Sequence, residues 1–193
     1  MPARQPARPA RTRQPVFLKE LFRPGPARLA GRALLQAATR QARQPAFYAD
    51  LGAPDTVEGR FELFSLHVAL LLRRLKGRSR EAGLIAQALF DAYIQSLDDA
   101  LREMGVGDLS MGRKMRKLGE AFYGRIKGYE AHLNPPEDHE GLEAMLSRTV
   151  FAGIDAGRPA ALADYVRRSA QALESTPDPA LVEGRVDWPE VLA

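Results

Sequence analysis

The chain has 193 residues, 28 Lys and Arg against 24 Asp and Glu, and no cysteine. That length suits one domain with tails and a real core. The missing thiols exclude a disulfide framework, a thiolate metal site and a cysteine nucleophile. Divided along the chain, residues 1–43 carry ten basic and one acidic side chain, residues 44–133 thirteen and twelve, and residues 134–193 five and eleven. The pattern is a basic arm, a balanced core and an acidic end. Ala and Leu supply much of the apolar content, while the strand-favouring Val and Ile are sparse, which points to helices.

Residues 1–15 interleave Pro2, Pro6, Pro9 and Pro15 with Arg4, Arg8, Arg11 and Arg13. Such a composition buries nothing and resists helix formation, so a disordered arm is expected. Phe17, Leu18, Leu21 and Phe22 form a short amphipathic turn, ended by Pro24-Gly25-Pro26. A helix is predicted from about Ala27 to Gln44, with Arg28, Arg32, Arg40 and Arg43 on one broad face. Residues 45–54 read as a connecting loop carrying Phe47 and Tyr48.

Asp55, with Glu58 three residues on, resembles a capping box. The next helix places Val57, Phe61, Phe64, Val68, Leu71 and Leu75 at helical spacing and is apolar well around the wheel, the mark of a central, buried helix. Gly77 ends it. Ser79 is the expected cap of a helix with Ala86, Phe90, Ile94, Leu97, Leu101 and Met104 as its stripe. Gly105-Val106-Gly107 breaks that helix, and Asp108 starts one with Met111, Met115, Leu118, Phe122, Ile126, Tyr129 and Leu133 on one side.

Gly112, Gly119, Gly124 and Gly128 each cost this helix about 1 kcal/mol relative to Ala. Two readings stay open: Ala121, Gly124 and Gly128 form a flank for close helix approach, or the helix kinks near Gly119–Gly124. A further helix is expected from Pro135 to about Ala152 and another from Pro159 to Glu174. The Pro-punctuated acidic remainder with Trp188 reads as an extended tail. The fold class is therefore all-α: one bundle of about six to seven helices over residues 16–176, between an arm at 1–15 and a tail at 177–193.

The search for chemistry returns little. His67 sits on the buried helix and reads as a neutral, hydrogen-bonded core histidine. His132 and His139 straddle a Pro-Pro turn instead of sharing a helix face, a poor arrangement for zinc. No Walker A sequence, dinucleotide fingerprint or nucleophile elbow occurs, and Asp91, Asp98 and Asp99 are spaced as solvated faces. The expectation is a non-enzyme without cofactor or metal. The apolar run from Phe61 to Leu72 is too short to span a bilayer, and no secretory leader is read at the start.

Two basic clusters remain: Arg113, Arg116, Lys117 and Lys127 opposite an apolar stripe, and Arg73, Arg74, Lys76, Arg78 and Arg80 around Gly77. Each is either a solvated face or an electrostatic docking surface for an acidic partner, RNA phosphates or anionic lipid. Aromatics are not interleaved with them, which argues against sequence-specific nucleic-acid binding.

Two stretches go beyond composition. Arg43-Gln44-Pro45-Ala46-Phe47-Tyr48 runs on through Pro54-Asp55-Thr56-Val57-Glu58-Gly59-Arg60-Phe61-Glu62, and Leu101-Arg102-Glu103-Met104-Gly105-Val106-Gly107-Asp108-Leu109 runs on to Glu120-Ala121-Phe122-Tyr123-Gly124-Arg125. Together with Ser65-Leu66-His67 and Gln87-Ala88-Leu89-Phe90-Asp91 in the same order, they resemble the ubiquinol-cytochrome c chaperone family over about residues 34–133. The resemblance implies a non-catalytic assembly chaperone of the cytochrome bc complex. Mitochondrial members bind newly synthesised cytochrome b, act with a small partner protein and can sit at the ribosome.

The chain looks more like a bacterial member, which implies the bacterial cytoplasm or the inner-membrane surface, and the matrix face if eukaryotic. An Arg-rich transit peptide is the alternative reading of the arm, against which its four prolines argue. Phe47, Tyr48, Arg60, Phe122, Tyr123 and Arg125 are the candidate partner-binding residues, since they lie in the motifs and combine aromatic area with charge. Phe122 also lies on the core stripe, whereas Tyr123 projects from the side. The competing functions are a basic ribosome or RNA adaptor acting through the arm, and a peripheral membrane module acting through Phe17, Leu18, Leu21 and Phe22.

Overall fold

A computed structural model describes residues 25–135, 137–152, 154 and 157–192. The arm at 1–15 and the turn at Phe17–Phe22 lie outside the described residues. Among those described, the secondary structure is eight helices and no strand: α1 (Pro26–Ala42), α2 (Pro45–Ala49), α3 (Val57–Leu75), α4 (Arg80–Glu103), α5 (Asp108–Leu133), α6 (His139–Thr149), α7 (Pro159–Ser175) and α8 (Asp178–Val182). The all-α expectation holds, with six longer helices and two of five residues each.

α3 is the centre, packed against α1, α4, α5 and α7. Leu63, Leu66, Val68, Leu70 and Leu71 are all fully buried, as a helix apolar around its circumference requires. Its first N–H groups are capped by Thr56, whose Oγ1 accepts from the Gly59 amide at 3.1 Å, and not by the expected Asp55. Asp55 instead accepts from Arg60 Nε at 2.6 Å. Ser79 caps α4 as expected, accepting from the Ala82 amide at 3.0 Å.

α1 and α4 run side by side and parallel. A Cβ on Gly31 would fall 2.6 Å from the Leu89 amide nitrogen and 2.7 Å from the Ala88 carbonyl carbon, so the two backbones nearly touch there. Small residues on α1 permit this: Ala30, Gly31, Ala37 and Ala38 all face inward. The buried stripe of α4 is Ala82, Ile85, Leu89, Tyr93, Leu97 and Leu101, rotated from the expected one because α1 and α3 both pack on it. Ala86, Phe90 and Ile94 flank that stripe, and Met104 is exposed.

α4 passes to α5 through Gly105, whose φ of +79° suits glycine. α5 runs continuously from Asp108 to Leu133, so no break occurs near Gly119–Gly124. Close approach happens at Gly128 alone, where the Met145 side chain of α6 sits. Gly112, Gly119 and Gly124 have nothing within 4 Å of a Cβ position, which corrects the idea of a continuous glycine flank.

α6 starts later than the prolines suggested: Asp138 is its cap, accepting from the Gly141 amide at 2.8 Å. A carboxylate side chain satisfies the orphan amides, which a Pro-Pro pair cannot do. The C-terminal stretch is not extended throughout. It forms α8, buries Leu181, and lays Val186 and Trp188 against the core. The buried Arg74 anchors it by donating to Leu173 O at 2.7 Å, Thr176 O at 2.8 Å and Asp178 Oδ1 at 2.6 Å.

Candidate functional site: an apolar groove beside a basic helix

α1 stops at Ala42, roughly level with Ala100 of α4, while α4 continues one more turn. The overhang carries Leu101 and Met104 past the end of α1, with Leu97 beside its last turn. Phe61 and Phe64 of α3, Tyr48 of α2 and Leu118 of α5 form the other walls of a groove of about 620 Å³. Val57, Glu58, Arg43, Arg60 and Lys114 stand around it. The floor is apolar and the rim carries three cations and one carboxylate.

Tyr48 is held in place by donating its hydroxyl to Ala42 O at 2.8 Å. Partial burial raises its phenol above the usual range, partly offset by Arg60 and Arg43 nearby. Arg60 is exposed and pairs with Asp55, and that hydrogen bond holds the Asp55 carboxyl below its ordinary range. Tyr48 and Arg60, taken from separate motifs, therefore meet at one groove.

The other candidates lie elsewhere. Phe47 is fully buried, edge-on to His67 at 5.5 Å and to Tyr165 at 5.0 Å, and has no surface to offer a partner in this conformation. Phe122 is likewise buried, 4.5 Å from the Tyr93 ring. Tyr123 is 57% exposed on the outer side of α5, its ring 6.3 Å from Phe90. Arg125 makes a two-pronged pair with Glu62 of α3, both bonds 2.8 Å, and Glu62 is only 8% exposed. Arg125 thus joins two helices of the core.

Arg113, Arg116, Lys117 and Lys127 are all exposed along α5. The sequence reading missed Phe61, Phe64, Leu97, Leu101 and Leu118 as groove walls. Their spacing marks them as core, and the structure buries Leu97 and Leu101 while leaving Phe61, Phe64 and Leu118 partly exposed.

His67 shows what the buried polar centre is for. A carbonyl can only accept, so its Nδ1–H donates to Leu63 O at 2.7 Å, leaving Nε2 to accept from the Tyr165 hydroxyl at 2.8 Å. Gln41 Nε2 donates to that hydroxyl at 3.0 Å. Burial pushes the imidazole down to about 4, against the opposing effect of the Leu63 carbonyl. It also pushes the Tyr165 phenol up to about 12. The neutral core reading of His67 is what the geometry gives. Among the described residues no three His, Asp or Glu side chains converge as a metal site.

The sequence pattern of the ubiquinol-cytochrome C chaperone family matches residues 49–188, which takes in most of the groove, all of α5 and the clamped C-terminal stretch. The chain belongs to that family. A mouse protein named ubiquinol-cytochrome c reductase complex assembly factor 1 is 29% identical over 145 residues, which are 74% of this chain and 48% of the relative. The Xenopus laevis protein of the corresponding name is 26% identical over 74% of this chain and 72% of its own length. The chain thus spans about half the length of the mouse protein. A solved structure described as the crystal structure of the Cbp3 homolog from Brucella abortus superposes with a TM-score of 0.79 at 31% identity, over 91% of this chain and 96% of that one. The two thus share one fold, and among the described residues no helix is long and apolar enough to cross a membrane.

Proposed function

We propose that the chain is a non-catalytic assembly factor for the cytochrome bc complex, and that its groove shields an apolar segment of newly made cytochrome b. The supporting observation is the open apolar groove itself, walled by Tyr48, Phe61, Phe64, Leu97, Leu101 and Leu118 within a chain of this family. A membrane protein exposes apolar side chains before it reaches its partners, and covering them is a binding task that needs no reacting group. An aromatic and aliphatic floor with a charged rim supplies that cover while the rim fixes orientation.

The relatives' names support the complex as the target. Cytochrome b as the client is the finer part of the proposal, as are any small partner protein and the ribosome. Two arms test it. Deleting the gene is expected to remove the assembled cytochrome bc complex selectively, seen by haem difference spectra of membranes. Val57→Arg with Met104→Arg alters two exposed groove residues without touching the core. That variant is expected to fold normally, lose crosslinks from the groove to cytochrome b and lower its accumulation. Normal cytochrome b levels in the folded variant would reject the groove, and an intact complex in the deletion strain would reject the function.

A further inference from the structure

Two clusters of cations contrast. Around Gly77, Arg73 and Arg78 pair with Glu174, Arg74 with Asp178, and Lys76 with Glu130. Those four are consumed in fastening the end of α3 to α5, α7 and α8, while Arg80 forms no ion pair among the described residues. On α5, by contrast, Arg113, Lys114, Arg116, Lys117 and Lys127 are exposed, and among the described residues none of the five forms an ion pair.

At 100° per residue, Leu109, Arg113, Arg116, Glu120, Tyr123 and Lys127 fall within an arc of about 80°, three cations against one exposed carboxylate, on the side of α5 away from its buried stripe. At 1.5 Å per residue they form a ridge about 27 Å long. Leu109 is fully exposed and Tyr123 57% exposed. Free cations, an uncovered leucine and a tyrosine on one helix face are what an interfacial surface presents.

We propose that this face of α5 docks onto an anionic lipid surface, with the cations on headgroup phosphates and Leu109 and Tyr123 entering the interface. Nucleic acid explains the cations less completely, because Tyr123 is the one aromatic on the ridge and the bare Leu109 would have no role there. The placement also has a geometric use. Lys114 and Leu118, about 140° and 180° round the same helix from the ridge, line the groove, so docking leaves the groove mouth turned away from the bilayer and open to a client. The inference does not depend on which client fills the groove.

The test uses the full chain with phosphatidylcholine vesicles, with and without one third phosphatidylglycerol. Each cation near an anionic surface is worth about fivefold in partitioning, or about 1 kcal/mol. Reversal of three, Arg113→Glu, Arg116→Glu and Lys117→Glu, is expected to lower binding to anionic vesicles more than a hundredfold. Reversing three arm arginines, Arg4→Glu, Arg8→Glu and Arg11→Glu, is expected to cost less than fivefold. Helicity by circular dichroism checks the fold, and Arg116→Gln with Lys127→Gln serves as a milder second variant, expected to cost about 25-fold.

Because the chain has no cysteine, Leu109→Cys gives a unique position for an environment-sensitive dye. Its emission is expected to shift blue on anionic vesicles and not on neutral ones. Four results would overturn the proposal: undiminished vesicle binding by the folded α5 variants, equal loss in the arm variant, no spectral shift at position 109, or loss of RNA binding with vesicle binding intact.

Discussion

Removing Arg125 should destabilise the bundle, and the size of the effect separates a core role from a docking role. Arg125 meets Glu62 through two bonds of 2.8 Å, with Glu62 8% exposed. Arg125→Ala leaves that carboxylate without its partner, a loss of about 3–5 kcal/mol for a buried pair. The Arg125 side chain keeps 25% of its surface, so water can enter the space it leaves, and the lower end, about 3 kcal/mol, is expected. With a urea m-value of about 2 kcal/mol/M, the unfolding midpoint falls by about 1.5 M. Arg125→Met combined with Glu62→Gln should recover most of the loss, since no buried charge then stands alone. A midpoint shift worth less than about 0.5 kcal/mol in Arg125→Ala would refute the argument. If the shift is as large as expected, lost assembly in an Arg125 variant reports instability and says nothing of a partner contact.

The buried His67 gives a pH dependence. Its imidazole titrates near 4 in the folded chain and near 6.5 when unfolded, so only the unfolded state takes up a proton as pH falls through 6.5. Stability is full well above 6.5 and declines below it, by about 1.6 kcal/mol between pH 6.5 and 5. His67→Gln should flatten that decline, as urea midpoints at pH 7 and pH 5 would show. Gly31→Ala should cost more than about 2 kcal/mol, because its Cβ would meet rigid backbone at Ala88 and Leu89. Gly112→Ala and Gly124→Ala should each raise the midpoint by about 0.5–1 kcal/mol, since both positions are open and helical. Thr56→Ala should lose about 1 kcal/mol in thermal or urea unfolding, whereas Asp55→Ala should lose clearly less, because only Thr56 caps α3.

The sequence carried the helices well because their signals are local. Ser79, the Gly105 turn and the apolar stripe of α5 need no knowledge of the rest of the fold. Local signals failed where two options lay side by side, as with Asp55 and Thr56, or where a proline pair masked the later cap at Asp138. Which face of α4 is buried depended on α1 packing parallel to it through Gly31, a contact no periodicity reveals. The groove was half legible: Tyr48 and Arg60 were visible as motif residues, but its walls look like ordinary core until the length of α1 is compared with that of α4. Phe47 and Arg125 show the converse, since aromatic area and charge in a motif serve the interior here.

The Trp188 ring stands edge-on to His67 at 4.9 Å, held by a stretch that Arg74 pins down. A residue late in the chain therefore seals the polar centre of a helix made much earlier. While the polypeptide is still emerging from its own ribosome, that centre lies open, and a premature stop near Gly184 would leave it so for good. Water would then reach the imidazole and restore its ordinary basicity. Such a fragment would lose the fall in stability below pH 6.5 that the intact chain owes to its buried imidazole, a signature by which incomplete molecules could be told from finished ones.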